Sequence, residues 1–532
     1  MATTYTSNQR RLIIASNRGP VEYSFDKQGA LKTKRGAGGM ITALLPAARY
    51  APPEGFTWVA VAMTDADRTI AARQETARTA ENHAAHTTGL AYANGHQLPK
   101  RPGHKKEPPT RFVNVAPDAY QRYYDGISNH ILWFLQHYLW NTAEEPTFTA
   151  QEYEQWEQGY KLVNQAVADT VCEEVISQPS PALVWVQDYH LYLVPGMLRK
   201  RLEEAGRAAN TFIHHFVHIP CPSARYWQLL PRHMLLDIYH SLLASDLIGL
   251  QTRRDMGNFL DTIRAVIDDA VIEQDERGGR IFWHGHSVLA RSEPISIDVQ
   301  EVRGEAARGT RTYEEQVRAM LSDFTIVRVD RLEPTKNIVR GFQAFEELLK
   351  TRPELAGKVK FLAFLVPSRQ GLPSYRRYQR EVRAIIRKIN TTYGSDHWKP
   401  IEAIFENNRS RALAAMRYYD VLLVNAIMDG MNLVAKEGPV INKRDGVLIL
   451  SETAGTAQQL GEASLTITPT DVEETTRALI RALEMPADER HQRAQRLRAL
   501  IEQQDLEAWL NQQFADVDQA LHTKAAGVIK KP

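Results

Sequence analysis

The chain has 532 residues, a length that predicts two or more domains with ample buried core. Hydrophobic residues make up 43% and charged residues 24%, while the formal net charge is only +2. This balance is typical of a globular protein and argues against a broad surface for nucleic acid or membrane. The two cysteines, Cys172 and Cys221, give neither a disulfide framework nor a metal-ligand cluster. The polar N-terminus lacks a signal-peptide pattern, and no apolar run reaches the ~20 residues that span a bilayer, so we expect a cytoplasmic protein.

Short apolar runs rich in β-branched residues alternate with helical patterns along the chain. The predicted strands are Leu12–Ala15, Trp58–Val61, Leu183–Gln187, Phe212–Phe216, Asp246–Leu250, Thr325–Val329, Val359–Leu365, Asp420–Val424 and Val447–Leu450. Helices are predicted over Glu152–Val175, Arg376–Ile389 and Asp488–Gln503, the last of them solvated. Continuous apolar strands separated by helices predict an α/β fold with parallel sheets covered on both faces.

The predicted strands fall into two sets, and the polar region 296–315 is interpreted as the join between them. We therefore predict a first α/β domain over residues 1–300, a second over residues 301–500, and a last helix with a tail over residues 501–532. Segment 66–111, rich in Ala, His, Lys and Pro, is predicted to be a surface excursion with weak structure.

The motif Asp429–Gly438 follows the predicted strand Asp420–Val424 and joins a glycine turn to a helix-forming run, Leu433–Lys436. A strand that breaks into a turn and then opens a helix aims backbone N–H groups at one point, which suits a phosphate or diphosphate. Glu437, further along that helix, can accept hydrogen bonds from a ribose diol. The motif therefore predicts a site for a nucleotide-sugar.

Three loops in the first half also follow predicted strands and carry polar groups. They are Ser16-Asn17-Arg18, Asp188-Tyr189-His190 and His218-Ile219-Pro220. The carboxyl ends of parallel strands are the usual place for a site in such sheets. Arg18 can fork onto a phosphate, and the glycines around Gly38 and Gly39 allow close approach of one. Taken singly, each of these features is equally compatible with a structural role.

In the second half, Arg331 and Lys336 follow the predicted strand Thr325–Val329, and Arg369 follows the predicted strand Val359–Leu365. Such cations can neutralise a departing diphosphate without a divalent metal. The alternative is a helix-entry loop with Lys336 in solvent. Because no Asp-x-Asp motif follows a strand in this half, we predict that the protein needs no metal and no cofactor.

Together these motifs resemble the family 20 glycosyltransferases from about Arg11 to about Leu521, and the stretch Asp429–Glu437 is the most specific match. The resemblance implies the GT-B fold, with two Rossmann-like domains facing a central cleft and a C-terminal helix that crosses back. It also implies transfer of glucose from a nucleoside-diphosphate sugar to glucose 6-phosphate, with retention at the anomeric carbon. UDP-glucose is the favoured donor, and GDP-glucose is left open.

The resemblance implies two groups of binding residues and one catalytic group. The donor group is Gly38, Gly39, Arg331, Lys336, Asn432, Leu433, Val434 and Glu437. The acceptor group is Arg18, Tyr124, Trp133, Asp188 and Arg369. The implied catalytic group is Arg331, Lys336, Asp429, His218 and Asp188. Within these sets, Glu437 is expected to hold the ribose, and Asp429 and His218 the hydroxyls of the transferred glucose. Arg18 and Arg369 are expected to clamp the acceptor phosphate.

The chain departs from the usual family pattern at four places: Val61 replaces a tryptophan, Glu333-Pro334 an Asp-Tyr pair, Asn337 a glycine, and Gly438-Pro439 an aromatic residue. Pro439 is expected to end or kink its helix. These departures keep open the same fold with another acceptor, such as glycerol 3-phosphate or a cyclitol phosphate as in validoxylamine phosphate synthases. A regulator that binds nucleotide-sugars without turnover is the alternative of another class. A homo-oligomer is possible.

Overall fold

The structure is a computed structural model that describes residues 6–36, 39–53, 55–88 and 109–525. The chain divides into two compact units. Unit 1 consists of Met1–Gln136, Trp140–Glu293 and Leu510–Pro532, and unit 2 consists of His137–Leu139 and Pro294–Trp509. The change from the first unit to the second thus falls between Glu293 and Pro294, and the domain limits given above stay a prediction.

A nine-stranded sheet forms the centre of unit 1 within its described residues. The strands of this unit are β1 Arg11–Ser16, β2 Val21–Phe25, β3 Leu31–Arg35, β4 Phe56–Val61, β5 Thr110–Val113, β6 Ala182–Gln187, β7 Thr211–Phe216, β8 Leu247–Leu250, β9 Val271–Asp275, β10 Gly278–Trp283 and β11 His286–Ser292. The sheet order is β5-β4-β1-β6-β7-β8-β11-β10-β9, in which β10 runs antiparallel to both β11 and β9 and all other neighbouring strands are parallel. Strands β2 and β3 form a separate antiparallel hairpin.

The helices of unit 1 cover the parallel part of this sheet, whose strands β1, β6 and β7 are buried along their whole length. They are Gly39–Leu44, Asp65–Thr88, Pro117–Gln121, Trp133–Gln136, Ala150–Gln155, Leu162–Ile176, Val194–Glu204, Ala224–Trp227, Arg232–Leu242 and Arg253–Val266. Two wider π-helical segments, Arg122–Leu132 and Trp156–Lys161, join these helices into longer rods. A side chain at Gly159 would come within 2.6 Å of Arg122 Cβ, so this glycine lets the two π segments pack closely.

In unit 2 the described residues form a six-stranded, fully parallel sheet. Its strands are β12 Phe324–Leu332, β13 Val359–Pro367, β14 Ile401–Ile404, β15 Val421–Val424, β16 Val447–Ser451 and β17 Leu465–Ile467. Their order, β14-β13-β12-β15-β16-β17, is the order of a doubly wound nucleotide-binding sheet. One apolar cluster packs on each face of this sheet; Leu422 and Leu448 belong to one, and Val421 and Ile449 to the other.

The helices of unit 2 are Val299–Met320, Ile338–Thr351, Pro373–Tyr393, Arg409–Met416, Val434–Ile441, Ala457–Leu460, Val472–Glu484 and Ala487–Gln503. The last helix of the chain is Leu506–Ala525. We refer below to Val299–Met320 as the junction helix and to Val434–Ile441 as the motif helix. Of these residues, those up to Trp509 belong to unit 2, and the rest of the last helix belongs to unit 1.

All nine predicted strands are present, but three other expectations need correction. The join at residues 296–315 is largely helical, since the junction helix starts at Val299 with its Asp298 side chain accepting from Glu301 N. The helix Ala487–Gln503 is only partly solvated, because Ala494, Leu497 and Ile501 are buried. Pro439 does not end the motif helix, which runs on to Ile441.

The expectation of weak structure in segment 66–111 is wrong for its first part. Residues Asp65–Thr88 form one helix, which the many alanines of this stretch favour. Its start is fixed by Asp67, whose carboxylate accepts from Thr64 N at 2.9 Å and from Met63 N at 3.1 Å. Ile70 of this helix is buried. Residues 89–108 lie outside the described part of the chain.

Two glycines of unit 2 lie where a side chain would collide with a buried neighbour. A Cβ added at Gly438, in the motif helix, would lie 2.4 Å from Leu422 Cδ2 and 3.4 Å from the Tyr419 ring. A Cβ added at Gly446 would lie 2.3 Å from the same ring. Tyr419 is fully buried. The departure at Gly438 is therefore a requirement of close packing between the motif helix and β15.

Candidate active site

Each sheet has one point at which its strand order reverses, and ligands of doubly wound sheets bind there, beyond the carboxyl ends of the strands. In unit 2 this point lies between β12 and β15. Arg331 is the last residue but one of β12, Lys336 ends the turn Pro334–Lys336 that follows it, and Asp429 follows β15. The structure thus brings Arg331 and Lys336 next to Asp429, which follows Lys336 by 93 residues in sequence.

Lys336 and Asp429 form an ion pair in which both side chains are largely buried. Asn432 donates from its side-chain amide to the same carboxylate oxygen, at 3.1 Å. Burial alone would raise the pKa of Asp429, but Lys336, His137 and Arg331 more than offset it and hold that pKa below its usual range. Asp429 is therefore an ionised acceptor beside a cation, an arrangement that can bind a sugar hydroxyl next to a phosphate.

Glu333, the residue noted above as a family departure, lies between two arginines. Its fully buried carboxylate pairs through one oxygen with Arg331 at 2.9 Å and through the other with Arg369 at 3.3 Å. Burial raises the pKa of Glu333, yet Arg331, Arg369, Lys336 and His137 together lower it. Arg369 also donates to Tyr375 Oη at 2.7 Å. We call Arg331, Glu333, Lys336, Arg369 and Asp429 the ionic cluster.

Left-handed backbone conformations concentrate around these residues. Asn337 has φ 54°, Arg369 has φ 42° and Asn432 has φ 62°. Asn337 stands where glycine is usual, and asparagine is among the few other residues that adopt this conformation readily. Its side-chain amide donates to Asn425 O at 2.9 Å and to Pro469 O at 2.6 Å, which fixes the turn. Strained backbone of this kind is typical of binding and catalytic sites.

A fully buried arginine supports the turn that carries Lys336. Arg328 pairs with Asp330 at 2.8 Å and donates to Lys336 O at 2.9 Å. A Cβ added at Gly341 would lie 2.5 Å from the Arg328 guanidinium, so the following helix can approach it only with glycine there. Arg328 therefore fixes the backbone at Lys336 while the lysine side chain faces Asp429.

Three further predicted donor residues lie at the start of the motif helix or within it: Leu433, Val434 and Glu437. Leu433 precedes the helix and Val434 starts it, and no side chain among the described residues caps this end. Glu437 is buried, and its carboxylate pairs with Arg409 at 2.8 Å; Arg409 pairs in turn with Glu305 of the junction helix at 2.8 Å. Arg409 holds the carboxylate that was predicted to bind ribose, and no sequence pattern indicates this role for it.

Lys436 of the motif helix points into the core of unit 2. Its ammonium group donates to Ile295 O at 2.9 Å and to Ser296 Oγ at 3.3 Å. Burial lowers the pKa of Lys436 to about 7. The lysine of this motif therefore anchors the segment before the junction helix and belongs to the fold of unit 2.

In unit 1 the strand order reverses between β1 and β6, and two of the predicted loops lie there. Ser16 Oγ, at the end of β1, donates to Arg18 O at 2.8 Å and accepts from Trp58 Nε1 at 2.8 Å. Arg18 itself is half-exposed, with Glu22 at 3.5 Å. Gly36 donates to Pro20 O at 2.8 Å, which places the glycine segment against the Arg18 loop. Gly39 starts a helix, and Gly38 lies outside the described residues.

The side chain of Asp188 is hydrogen-bonded to the backbone of His218. Asp188 has φ 71°, and its carboxylate accepts from His218 N at 3.0 Å. The His218 ring lies 2.9 Å from Gln187 Oε1, which requires a proton on Nε2. Burial lowers the pKa of His218 to about 3, so the ring is neutral near pH 7 and its Nδ1 is an acceptor. A neutral histidine beside an aspartate can receive a sugar hydroxyl.

Aromatic rings surround the second unit 1 loop. Tyr124 stacks on His190 with centroids 5.8 Å apart and on Tyr120 at 5.4 Å. Trp133 lies 5.7 Å from Tyr189. We call Tyr120, Tyr123, Tyr124, Trp133, Tyr189 and His190 the aromatic cluster. Tyr123 donates to Asn17 Oδ1 at 3.0 Å, which ties this cluster to the loop after β1.

Sequence reasoning missed three residues that the structure places at these sites. Glu333 was noted only as a departure, while Arg409 and His137 carried no signal at all. His137 belongs to a short stretch, His137–Leu139, that is part of unit 2 although the chain on either side of it belongs to unit 1, and its charge acts on Glu333 and Asp429. Among the described residues, no group of three or more His, Cys, Asp or Glu is arranged to hold a metal ion. None of the described helices is long and apolar enough to span a bilayer.

Two α/β units built on parallel sheets are the mark of the GT-B glycosyltransferase fold. A solved trehalose-6-phosphate synthase from E. coli, bound with UDP-2-fluoro glucose, superimposes with a TM-score of 0.75 and 25% sequence identity, covering 96% of this chain and 99% of that one. The described fold is therefore GT-B, as predicted.

The model of glycosyltransferase family 20 matches residues 10–519, and the chain belongs to that family. A bifunctional trehalose-6-phosphate synthase/phosphatase from Thermoproteus tenax is 34% identical over 75% of this chain, which spans about half of that relative (52%). The validamine 7-phosphate valienyltransferase of Streptomyces hygroscopicus subsp. jinggangensis is 27% identical, over 97% of this chain and 96% of its own length. The chain is a glycosyltransferase by family.

Proposed function

We propose that the protein transfers glucose from a nucleoside-diphosphate glucose, UDP-glucose first, to glucose 6-phosphate, with retention, giving trehalose 6-phosphate. The observation that carries the proposal is the ionic cluster at the strand-order reversal of unit 2, where an ionised Asp429 lies beside Lys336 and Arg331. The trehalose-phosphate synthase names of the relatives support the same reaction. Two buried free cysteines agree with a cytoplasmic location.

We assign the donor to unit 2, with Gly38 and Gly39 as a further diphosphate contact. Arg331 and Lys336 bind the diphosphate, and backbone groups of Asn432, Leu433 and Val434 contact the donor. Glu437 binds the ribose, held in place by Arg409. Asp429 and His218 receive hydroxyls of the transferred glucose. We assign the acceptor phosphate to Arg18 and Arg369, and the acceptor sugar to Tyr124, Trp133 and Asp188.

The proposed chemistry takes place on one face of the transferred sugar. The acceptor hydroxyl oxygen forms a bond to the anomeric carbon as the bond from that carbon to the diphosphate breaks. The leaving phosphate oxygen takes the hydroxyl proton, so no side-chain nucleophile is needed. Lys336 and Arg331 stabilise the charge that develops on the diphosphate, which is the step where electrostatic stabilisation has most effect.

The experiment that tests the proposal is a matrix of donors and acceptors. UDP-, GDP- and ADP-glucose are each incubated with glucose 6-phosphate, glycerol 3-phosphate, a cyclitol phosphate and glucose, and the anomeric configuration of any product is read by NMR. We expect the α,α-linked product with glucose 6-phosphate and none with unphosphorylated glucose. Equal transfer to glucose would refute the phosphate assignment of both arginines.

One observation supports a cyclitol phosphate as a second candidate acceptor. It is the nearly full-length match to a validamine 7-phosphate valienyltransferase. In that case the matrix would show transfer to the cyclitol phosphate and little to glucose 6-phosphate. Selective binding of UDP-glucose with no product from any acceptor would instead point to a regulator.

We also propose that the reaction needs no metal ion. The cations of the ionic cluster take the place of a divalent metal at the diphosphate. Activity is expected to persist in excess EDTA. Its loss in EDTA, with recovery on adding Mg²⁺ or Mn²⁺, would contradict this part of the proposal.

A further inference from the structure

Unit 2 has a second concave surface that none of the assigned site residues lines. It is a cavity of about 440 Å³, open to solvent, between the junction helix, the end of the helix Arg409–Met416 and the segment after the motif helix. Its polar lining consists of Thr310, Arg311, Glu314, Arg318, Arg417, Tyr418 and Lys443. Cavities of this size accept ligands as large as a small metabolite.

The lining carries four cationic side chains and one carboxylate. Glu314 is occupied by Arg318, whose guanidinium donates to it at 2.8 and 3.0 Å. The other three cations, Arg311, Arg417 and Lys443, form no ion pair within the described residues. By contrast, Arg303 of the same junction helix pairs with Glu502. The cavity therefore concentrates uncompensated positive charge.

Arg417 lines this cavity with a partly buried side chain. Its Nε is buried and has no hydrogen-bond acceptor among the described residues. A buried donor without an acceptor is destabilising, so such groups normally face water or a ligand. Its backbone carbonyl accepts from Lys443 N at 2.9 Å, which holds the two cationic residues side by side.

The remaining walls fit the body of a small organic molecule. Tyr418 lies with its ring under the Arg318 guanidinium, 5.4 Å from the ring centroid, and this gives one flat wall. Thr310 Oγ1 donates to Ala306 O at 2.8 Å and keeps its lone pairs for a further hydrogen bond. Arginine forks and a lysine are the usual partners of phosphate.

We propose that this cavity is a binding site for a phosphorylated small metabolite, in which Arg311, Arg417 and Lys443 bind the phosphate groups and Tyr418 contacts the body of the ligand. The site is independent of the proposed transfer reaction, because it contains none of the residues assigned to donor or acceptor.

The test uses inorganic pyrophosphate as the probe and calorimetry as the measurement, with UDP and glucose 6-phosphate at saturation to occupy the proposed donor and acceptor sites. The full-length protein is compared with Arg311→Gln, Lys443→Gln and the double variant. Both residues are exposed, so the variants are expected to keep the wild-type melting temperature. Arg308→Gln is the matched control, since Arg308 is an exposed arginine of the same helix that does not line the cavity.

We expect pyrophosphate to bind the wild type saturated with both ligands, each single variant to bind about tenfold more weakly, and Arg308→Gln to bind within about twofold of wild type. The double variant should lose the remaining heat of binding. Binding by the double variant that equals that of wild type would overturn the proposal. Equal weakening by Arg308→Gln would overturn it as well, because the effect would then come from net charge alone.

Discussion

The candidate residues of the two units are held in place by different forces. In unit 2 the ionic cluster joins three cations and two carboxylates, and the carboxyl pKa values are lowered by those cations. In unit 1 the aromatic cluster relies on ring stacking and neutral hydrogen bonds, and the buried His218 is uncharged. Both clusters lie at the point where the strand order of their own sheet reverses. The same topological position has been adapted to two kinds of ligand chemistry.

The difference matches what each proposed ligand requires. A departing diphosphate needs positive charge held in fixed positions, which ion pairs among buried side chains provide. A neutral sugar ring needs flat apolar walls and a few hydroxyl acceptors, which stacked tyrosines and an aspartate provide. If this division is correct, substitutions in the ionic cluster should change catalysis and pH-dependent stability, whereas substitutions in the aromatic cluster should have smaller effects on acceptor binding.

The largest effect is expected for Lys336→Ala, which removes the cation next to Asp429. Loss of one preorganised charge at the leaving group should lower kcat on the order of 100-fold, or about 3 kcal/mol. The melting temperature should fall as well, because the largely buried Asp429 carboxylate loses the charge of Lys336. The matched control is Lys350→Ala, an exposed lysine paired with Glu347 at 2.9 Å. A Lys336→Ala protein within a fewfold of wild type would mean that the ion pair is purely structural.

Glu333→Gln tests whether the ionic cluster also stabilises unit 2. The substitution removes the buried carboxylate charge that compensates the buried guanidinium of Arg369, so the free energy of unfolding should fall by about 3 kcal/mol at pH 7. Because the folded pKa of Glu333 is lowered, this contribution is present above the unfolded value of about 4.3 and is lost as the pH falls through the folded pKa.

The measurement is chemical unfolding of wild type and Glu333→Gln at a series of pH values from 7 down to 3. The difference between them should shrink below about pH 4.3. Glu347→Gln, which breaks an exposed pair, serves as control and should cost less than about 1 kcal/mol at every pH. A constant difference across the series would show that folding does not shift the pKa of Glu333.

Arg369→Ala tests whether Arg369 of the ionic cluster binds the acceptor or the nucleoside diphosphate. The KM for the acceptor should rise by a factor on the order of 10 to 100, because a charge-assisted hydrogen bond contributes about 1.5–3 kcal/mol. The Kd of UDP should hardly change. Combined with Arg18→Ala, the loss should be smaller than the sum of the single losses, because both charges are assigned to one phosphate.

Arg376→Ala is the control for Arg369→Ala, since Arg376 is an exposed arginine that donates to Gln370 O and Gly371 O near the same loop. It should leave both substrates unaffected. An equal loss of acceptor and UDP affinity in Arg369→Ala would instead assign Arg369 to the diphosphate, so that all three cations of the ionic cluster would bind the donor.

The smallest effect is expected in the aromatic cluster. Tyr124→Leu removes the stack on His190 and Tyr120, which is worth about 1 kcal/mol, and should raise the acceptor KM about fivefold with kcat nearly unchanged. Tyr153→Leu, which breaks an exposed stack on His233 at 5.1 Å, should leave the kinetics unchanged. A large fall in kcat for Tyr124→Leu would show that the aromatic cluster takes part in more than acceptor binding.

The sequence predicted the parallel strands well because their side chains are apolar on both faces, and such runs stand out without any tertiary information. It missed strands such as β9, which is largely exposed, and β3, whose sequence is mostly polar, because neither gives a comparable signal. The missed helix Asp65–Thr88 has the same cause, since its polar residues hid a pattern of good helix formers.

Within the candidate site, sequence patterns found residues that belong to compact motifs, such as Asp429 and Asn432. They did not find Glu333, Arg409 or His137, whose roles depend on partners brought near by folding. Arg409 reaches Glu437 from another helix, and His137 acts on Asp429 from a distant part of the chain. A charged residue identified alone has many possible partners, and only the fold selects one.

The close contacts at Gly438 and Gly446 limit which substitutions this part of unit 2 can accept. A side chain at Gly438 would collide with Leu422, and a side chain at Gly446 would collide with the ring of the buried Tyr419. Each glycine can therefore be replaced only together with a smaller partner. In related sequences we expect a larger residue at position 438 to occur with a smaller one at position 422, and a side chain at position 446 to occur with a smaller one at position 419.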